Sequence, residues 1–236
     1  ESLPGTPVLT GKKRALVGRR AVNQFQADTI VLDDGFQHLA LQRDLDLVLV
    51  SAHSALECSR VFPGGQLREP FTALHRAKAV IITGLDQQNK PRVDRFHDFL
   101  KTHFPRLQIF TSSYRPVSVR VGDGAPCELN LIKSMPLCGF CGIATPDSFY
   151  QSLKAFGCDL RGFRAFRDHY KYKPADVAAL IRWARREGGR GLITTEKDYV
   201  KLEGLDSGEF PIFILRVELA LGDDLEQFLE KEIKSW

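Results

Sequence analysis

The stretch from Thr29 to His38 constrains the fold most, because a short apolar run ends there in charged residues. Residues 29–32 read Thr-Ile-Val-Leu, a pattern that predicts a strand buried on both faces. Asp33, Asp34 and Gly35 end the run. Open α/β sheets bind ligands beyond the carboxyl ends of such strands, where an Asp can hold Mg²⁺ beside a phosphate. The competing interpretation is a plain Asp-Gly turn.

Further apolar runs alternate with amphipathic helical patterns. The predicted strands are 46–51, 78–84, 137–143, 191–194 and 210–217, after a short strand at 14–18 and a helix at 19–26. Later helices are predicted at 92–104, from the Thr-Pro-Asp at 145–147, from Pro174 onward and at 224–236. Strands separated by helices or long crossovers imply an α/β fold with a doubly wound, mostly parallel sheet.

Residues 107–132 differ from the rest because they hold short strand patterns at 108–110, 118–121 and 127–129, joined by turns. This segment predicts a small antiparallel insert or hinge between two lobes. We therefore expect three parts: 1–106 as the C-terminal part of a first domain, 107–132 as a β-strand linker, and 133–236 as a second, smaller α/β domain. The last helix could pack back on the first part.

Composition is that of an ordinary globular protein, with 43% hydrophobic and 26% charged residues. The net charge of +4 permits an anionic ligand without demanding nucleic acid. No apolar run approaches the roughly 18 residues that span a bilayer. The odd count of five cysteines argues against a disulfide framework. Cys138 and Cys141 have C-x-x-C spacing within an apolar run, which favours core cysteines over redox or metal chemistry.

The N-terminal Gly5–Lys13 segment invites comparison with the phosphate loop G-x-x-x-x-G-K-[ST]. The glycine spacing is one residue too long, and Lys13 stands where Ser or Thr should bind Mg²⁺. We therefore reject this segment as a phosphate loop.

Four polar clusters could carry chemistry. The first, Asp33 to His38, combines carboxylates, an amide and an imidazole that could coordinate a metal and orient a phosphate. The second, Phe62 to Pro70, has a Gly-Gly turn and Arg68, which could pair bidentately with a phosphate. A surface salt bridge is the alternative for Arg68.

The third cluster, Arg164 to Tyr172, places Asp168 beside His169, where a carboxylate could set the tautomer or basicity of the imidazole. An aromatic and basic surface loop is the alternative. The fourth, Thr194 to Asp198, feeds a strand end into a helix start, which is a common anion site. Simple helix capping explains that pattern as well.

Taken in order, Asp-Asp-Gly-Phe-Gln-His (33–38), Leu-Arg-Glu-Pro (67–70), Phe-Arg-Asp-His-Tyr (166–170) and Thr-Thr-Glu-Lys-Asp (194–198) resemble the tetraacyldisaccharide 4′-kinases, the lipid A 4′-kinases of Gram-negative bacteria. The resemblance runs from about Val17 to Leu202. It implies a P-loop α/β domain joined by a two-stranded linker to a smaller α/β domain. It also implies transfer of the γ-phosphate of ATP, with Mg²⁺, to the 4′-hydroxyl of an acylated disaccharide 1-phosphate.

The resemblance also implies roles for individual residues. Asp33 and Asp34 would form the Mg²⁺–phosphate site and act in catalysis. His38 and Arg68 would line the active-site cleft, and His169, beside Asp168, would take part in catalysis from the second lobe, by proton transfer or by binding alone. The residues expected near the nucleotide or the domain interface are Gln37, Thr195, Glu196, Lys197 and Asp198.

One departure from the family is large. The family places its phosphate loop, and an acidic residue suspected of acting as the base, upstream of Glu1. We therefore expect this chain to be the C-terminal portion of a longer kinase, without useful activity alone. Two alternatives stay open: a non-catalytic binding or regulatory module derived from a P-loop kinase, and a P-loop phosphotransferase acting on a soluble sugar or nucleotide.

The expected partner is the acylated disaccharide 1-phosphate, with peripheral contact at the cytoplasmic face of the inner membrane and neither nucleic acid nor a protein partner. The basic residues Lys12, Lys13, Arg14, Arg19 and Arg20 could meet anionic head groups. A solvated loop explains the same run of charge.

Overall fold

The computed structural model describes residues 5–53, 61–65, 67–205 and 207–234. Its centre is an eight-stranded sheet in the order β1-β2-β3-β8-β7-β5-β6, with β4 beside β3. The strands are β1 Leu47–Ser51, β2 Ala79–Thr83, β3 Gln108–Val121, β4 Pro126–Cys127, β5 Leu137–Cys141, β6 Leu160–Ala165, β7 Gly191–Thr195 and β8 Ile212–Ala220. All strand pairs are parallel except the two that join β3 to β4 and to β8. The predicted α/β class with a mostly parallel sheet is confirmed.

β3 is the strand that joins the two halves of this sheet. The first half contains β1, β2 and the start of β3, and the second half contains the rest of β3 with β4, β8, β7, β5 and β6. It pairs with β2 in parallel as far as Ser112, which lies opposite Thr83, and from Ser113 it pairs with β8 antiparallel, starting opposite Ala220. The carboxyl ends of β2 and β8 therefore lie opposite neighbouring residues of β3. The strands β1 and β2 point toward this place from one side, and β8 with the strands parallel to it points toward it from the other. The expectation of separate short strands between 107 and 121 was wrong, because β3 is continuous over 14 residues.

Helices cover both faces of the sheet. They are α1 Arg14–Phe25, α2 Lys90–His103, α3 Leu131–Ser134, α4 Pro146–Phe156, α5 Pro174–Arg186, α6 Glu196–Tyr199 and α7 Asp223–Lys234, with 3₁₀ turns at Phe71–Arg76 and Val200–Leu202. Within the described ranges, no helix is both long and apolar enough to cross a membrane.

The first half of the sheet is packed on both faces. On one face, α2 buries Phe96 and Leu100 against Val80 and Ile82 of β2. On the other face, Leu225 of α7 lies in a cluster with other apolar side chains: Leu47, Ala79, Ile81, Phe110, Phe228 and Leu229. The last helix thus follows a strand of the second half but packs against the first half.

The second half is also a three-layer arrangement. Leu180 and Trp183 of α5 pack with Phe140 of β5 on one face. Phe149 and Leu153 of α4 pack on the other face with β-strand residues that include Ile193 and Phe213. Cys138 and Cys141 lie in β5, buried and free, which confirms their interpretation as core cysteines. Cys58 and Gln66 lie outside the described residues.

Two strand predictions near the N-terminus were wrong. Residues 29–32 form no strand: Ile30 is 45% exposed and Val31 is 90% exposed. A strand needs a neighbour to receive its backbone hydrogen bonds, and the described part of the chain supplies none for this run. Residues 14–18 form the first turns of α1. The edge strand β6 and the short helix α3 were not predicted.

Candidate functional site

The first and second polar clusters meet through an ion pair between Asp34 and Arg68. The Arg68 Nη1 atom lies 2.6 Å from both carboxylate oxygens of Asp34, across 34 residues of sequence. Hydrogen bonding and charge from Arg68 hold the pKa of the Asp34 carboxyl below its usual range. Both side chains are mostly exposed. The pair therefore presents an ionised carboxylate and a guanidinium side by side to solvent.

The backbone at Asp34 is unusual as well. Its φ is 51°, in the left-handed region that non-glycine residues rarely adopt, and His169 has a φ of 56°. Such conformations cost of order 1–3 kcal/mol and cluster at functional sites. Two residues selected from the sequence as catalytic candidates therefore share this backbone conformation.

Arg43 closes the loop that carries the first cluster. Its Nε and Nη2 atoms donate to the carboxylate of Asp46 at 2.7 and 3.0 Å. Its Nη1 atom donates to the carbonyl oxygens of His38 at 2.6 Å and Leu41 at 2.9 Å. The carboxylate of Asp46 raises the pKa of Arg43. His38 is thus held through its main chain, while its half-buried side chain stays available.

A second anchor ties this loop to the turn before β2. The guanidinium of Arg76 lies 4.6 Å from the centre of the Phe36 ring, and its Nη2 atom donates to Glu69 at 2.5 Å. Glu69 is the neighbour of Arg68 in the chain. The loop of the first cluster and the segment of the second are therefore joined at two places.

The third cluster sits after β6 and is accessible to solvent. Asp168 Oδ1 accepts a hydrogen bond from the backbone N–H of His169 at 2.9 Å, and the His169 Nε2 atom lies 3.7 Å from Asp168 Oδ2. The His169 side chain is 90% exposed. This geometry leaves the imidazole free to meet a ligand, with a carboxylate beside it.

The fourth cluster divides into exposed and buried residues. Thr195 is the N-cap of α6, and its hydroxyl accepts from the Asp198 backbone N–H at 3.1 Å. Glu196 and Lys197 point outward. Asp198 is completely buried, and protein donors occupy both of its carboxylate oxygens. The sequence placed Asp198 near the nucleotide or the domain interface, and the structure buries its carboxylate completely among protein donors.

The chain matches known proteins along most of its length. The family model for tetraacyldisaccharide-1-P 4′-kinase matches residues 1–234. The chain belongs to this family. Its relatives include the tetraacyldisaccharide 4′-kinase of Desulfotalea psychrophila, 37% identical over 99% of this chain and 66% of that protein. The enzyme of the same name from Syntrophobacter fumaroxidans is 37% identical over 96% of this chain and 60% of that protein.

The fold of this chain is also similar to that of a solved structure. It is the crystal structure of LpxK from Aquifex aeolicus in complex with ATP, which has a TM-score of 0.64 and 27% identity. The match covers 94% of this chain and 62% of that one. The chain thus spans about three fifths to two thirds of the length of the kinases it matches.

The donor chemistry of the first cluster fits Mg²⁺. Asp33 and Asp34 offer hard carboxylate oxygens, and a protein commonly contributes only one or two carboxylates to this ion, with water and phosphate completing the octahedron. Within the described residues, no group of three or more His, Cys, Asp or Glu side chains is arranged to hold a metal ion. Arg68 occupies both oxygens of Asp34 in this structure.

The structure thus groups the predicted residues in two sets. Asp34 and Arg68 form one set, with Asp33, Gln37 and His38 on the same loop. The other set comprises the Asp168–His169 loop and the Thr195–Asp198 turn, linked by the Tyr172 hydroxyl, which donates to Asp198 at 3.3 Å. Between described residues, no hydrogen bond or ion pair joins one set to the other.

Sequence reasoning missed a polar group at the carboxyl ends of β1 and β2. Asp86 Oδ1 accepts from the backbone N–H groups of Gln88 and Asn89 at 2.8 Å, and its Oδ2 lies 3.9 Å from His53 Nε2. The same signal that selected Asp33 was present here, because Asp86 follows a fully buried strand. Lys201, an ion-pair partner of Asp198 at 2.9 Å, was missed too, although three-residue spacing on a helical turn could have suggested it.

Proposed function

We propose that the protein is an ATP- and Mg²⁺-dependent kinase that transfers the γ-phosphate of ATP to the 4′-hydroxyl of tetraacyldisaccharide 1-phosphate, in lipid A biosynthesis. The observation that carries the proposal is the family match across residues 1–234. Kinases of that name are 31–37% identical over most of this chain, and the similar Aquifex aeolicus structure contains ATP.

The chain's own residues fit phosphoryl transfer, which depends mainly on positioning and on stabilising negative charge. Asp33 and Asp34 would hold Mg²⁺, and the bound ion would neutralise charge on the phosphate oxygens. Arg68, now paired with Asp34, would be released to bind phosphate oxygens bidentately. His38 would line the same cleft, and Gln37 would lie near the nucleotide.

His169 would act from the second half of the sheet. Its exposed imidazole, backed by Asp168, is suited to bind the acceptor or to hold a proton near the acceptor hydroxyl. Thr195, Glu196 and Lys197 lie at the carboxyl end of β7, on the edge where open sheets bind ligands. They would border the nucleotide or the interface between the lobes.

We also propose a division into 1–106, a linker at 107–132 and a second domain at 133–236, with substrate bound where the carboxyl ends of the two strand sets meet. The acylated substrate implies peripheral contact with the cytoplasmic face of the inner membrane. The helix α1 supports this contact, since it exposes Leu16, Val22 and Phe25 close to basic Arg19 and Arg20.

The test measures phosphate transfer by the full-length gene product from labelled ATP to tetraacyldisaccharide 1-phosphate. We expect Asp34→Ala and His169→Ala each to lower kcat by about 100-fold or more, the usual loss when a charge-stabilising or acid–base group is removed. Exposed residues of the same types on α2 provide the controls, Asp94→Ala and His103→Ala, which should stay within about twofold.

Other outcomes would replace the proposal. Transfer to a water-soluble sugar or nucleotide without detergent, with none to the disaccharide, would establish the soluble phosphotransferase. A full-length product that binds the disaccharide but transfers no phosphate would establish the binding module.

A further inference from the structure

In the second half of the sheet, the carboxylate of Asp198 is a charged group that is completely buried. Its Oδ2 atom accepts from the Gly142 backbone N–H and from the Thr195 hydroxyl, both at 2.9 Å. Its Oδ1 atom accepts from Lys201 Nζ at 2.9 Å and from the Tyr172 hydroxyl at 3.3 Å. A charge this deeply buried needs such partners. Together they join the segments that follow β5, β6 and β7.

Gly142, the first residue after β5, is held at both of its backbone polar groups. Its N–H donates to Asp198, and its carbonyl oxygen accepts from Lys201 Nζ at 3.0 Å. The Asp198–Lys201 pair therefore fixes the backbone at the carboxyl end of β5.

The loop that carries His169 packs directly on this fixed point. A Cβ atom placed on Gly142 would lie 3.1 Å from the carbonyl oxygen of Arg167 and 3.2 Å from the Cβ of Tyr170. Those two residues flank Asp168 and His169, and the Tyr170 N–H donates to the Arg167 carbonyl at 3.1 Å to close the turn. The turn therefore has little room to shift without moving Gly142.

Both ends of the loop are tied to the same region. At its start, the Phe166 N–H donates to the carbonyl oxygen of Cys141 at 2.7 Å. At its end, the hydroxyl of buried Tyr172 donates to Asp198. The exposed His169 thus stands on a short turn between two anchors, and one of these anchors is the Asp198 carboxylate.

We propose that Asp198 is a positioning residue, which acts through Tyr172 and Gly142 to hold the Asp168–His169 turn in place for phosphate transfer. The inference rests on the proposed role of His169 and adds to it a buried support. Asp198 itself touches neither substrate nor nucleotide.

The test changes Tyr172 rather than Asp198, because removing the buried carboxylate would leave the Lys201 charge unpaired and endanger folding. Tyr172→Phe deletes a single hydroxyl and keeps the ring, which contacts Phe140, Phe166 and Tyr170. Tyr199→Phe is the matched control. It also removes one hydroxyl bonded to an aspartate, Asp123 at 3.1 Å, but that bond does not lead to the loop.

In the full-length gene product we expect Tyr172→Phe to lower kcat by about tenfold, roughly the effect of one hydrogen bond to a charged group. KM for ATP and for the disaccharide should change by less than about twofold, because the loss concerns the placement of one group. Tyr199→Phe should keep its kcat. If the Tyr172 hydroxyl served only the stability of the fold, Tyr172→Phe would lower the thermal unfolding midpoint and leave kcat unchanged.

A double-mutant cycle identifies the route of the effect. If Tyr172 acts through His169, then Tyr172→Phe should cause no further loss in a His169→Ala background. An equal loss in both backgrounds, or an unchanged kcat for Tyr172→Phe alone, overturns the positioning role while leaving the kinase proposal intact. Wild-type kcat for His169→Ala alone refutes the proposed role of His169, and the positioning role with it.

Discussion

The packing of the last helix against the first half of the sheet leads to a quantitative prediction at Leu225. This side chain is completely buried and lies between α7 and the β2–β3 face, in contact with a cluster that includes Ile81 and Phe110. Leu225→Ala removes three carbon atoms, worth roughly 0.8 kcal/mol each in transfer free energy. The cavity left behind adds to that loss, so the free energy of unfolding should fall by about 3–5 kcal/mol.

Ile233→Ala on the same helix is the control. Ile233 is 45% exposed, so the same loss of three carbon atoms gives up only about half of the transfer free energy and encloses no cavity, and the free energy of unfolding should fall by about 1 kcal/mol. The assay is urea denaturation of the full-length gene product followed by circular dichroism. Leu225→Ala should shift the midpoint to lower urea with an unchanged slope, since the slope reports the surface exposed on unfolding.

Hydrogen exchange locates the effect. Because Leu225 packs on β2 and β3, the protection of backbone amides should fall in these strands. It should fall less in β5, which packs against α4 on one face and α5 on the other. Equal midpoint shifts for Leu225→Ala and Ile233→Ala would refute the packing argument. A uniform loss of protection along the whole sheet would refute the claim that α7 supports the first half in particular.

Two further predictions concern ionisation. Burial raises the pKa of Cys141 to about 12 and that of Cys158 to about 11, so the stability they contribute is complete below the unfolded value of about 8.5 and is lost as the pH rises. We expect the urea midpoint to decrease as the pH rises from about 9 to about 11, and to decrease less steeply in the Cys141→Ala variant. A urea midpoint that does not change over this pH range would contradict the prediction. Because Arg68 holds the pKa of Asp34 low, Arg68→Gln should raise it toward the usual range in a carboxyl NMR titration, whereas Lys90→Gln should not; equal shifts would contradict the ion pair.

Local signals in the sequence predicted local structure well. Pro174 marks the first residue of α5, and Thr195 caps α6, because a fixed φ or a short hydroxyl side chain acts within one helical turn. The apolar stripe of α5, which includes Val177 and Leu180, is buried as expected. Such patterns depend on residues a few positions apart, so the sequence contains the information they need.

Strand predictions failed where the partner was decisive. Residues 29–32 have the composition of a buried strand, yet they are exposed, because the described chain places no strand beside them. Conversely, β3 reads as several short pieces but is one strand, because it changes partner from β2 to β8 at Ser112 and Ser113. β-structure depends on neighbours that are distant in sequence, which a local pattern cannot name.

The candidate site divides in the same way. The sequence by itself determined the family and the residue types, because the spacing within each motif is local and specific. Only the tertiary structure decided that Asp34 meets Arg68 in the open while Asp198 is buried beneath the His169 loop. The physical reason is that the segments packed around a carboxylate decide whether it can reach a ligand. The residues that enclose Asp198 include Gly142 and Tyr172, which lie 56 and 26 residues away in the sequence.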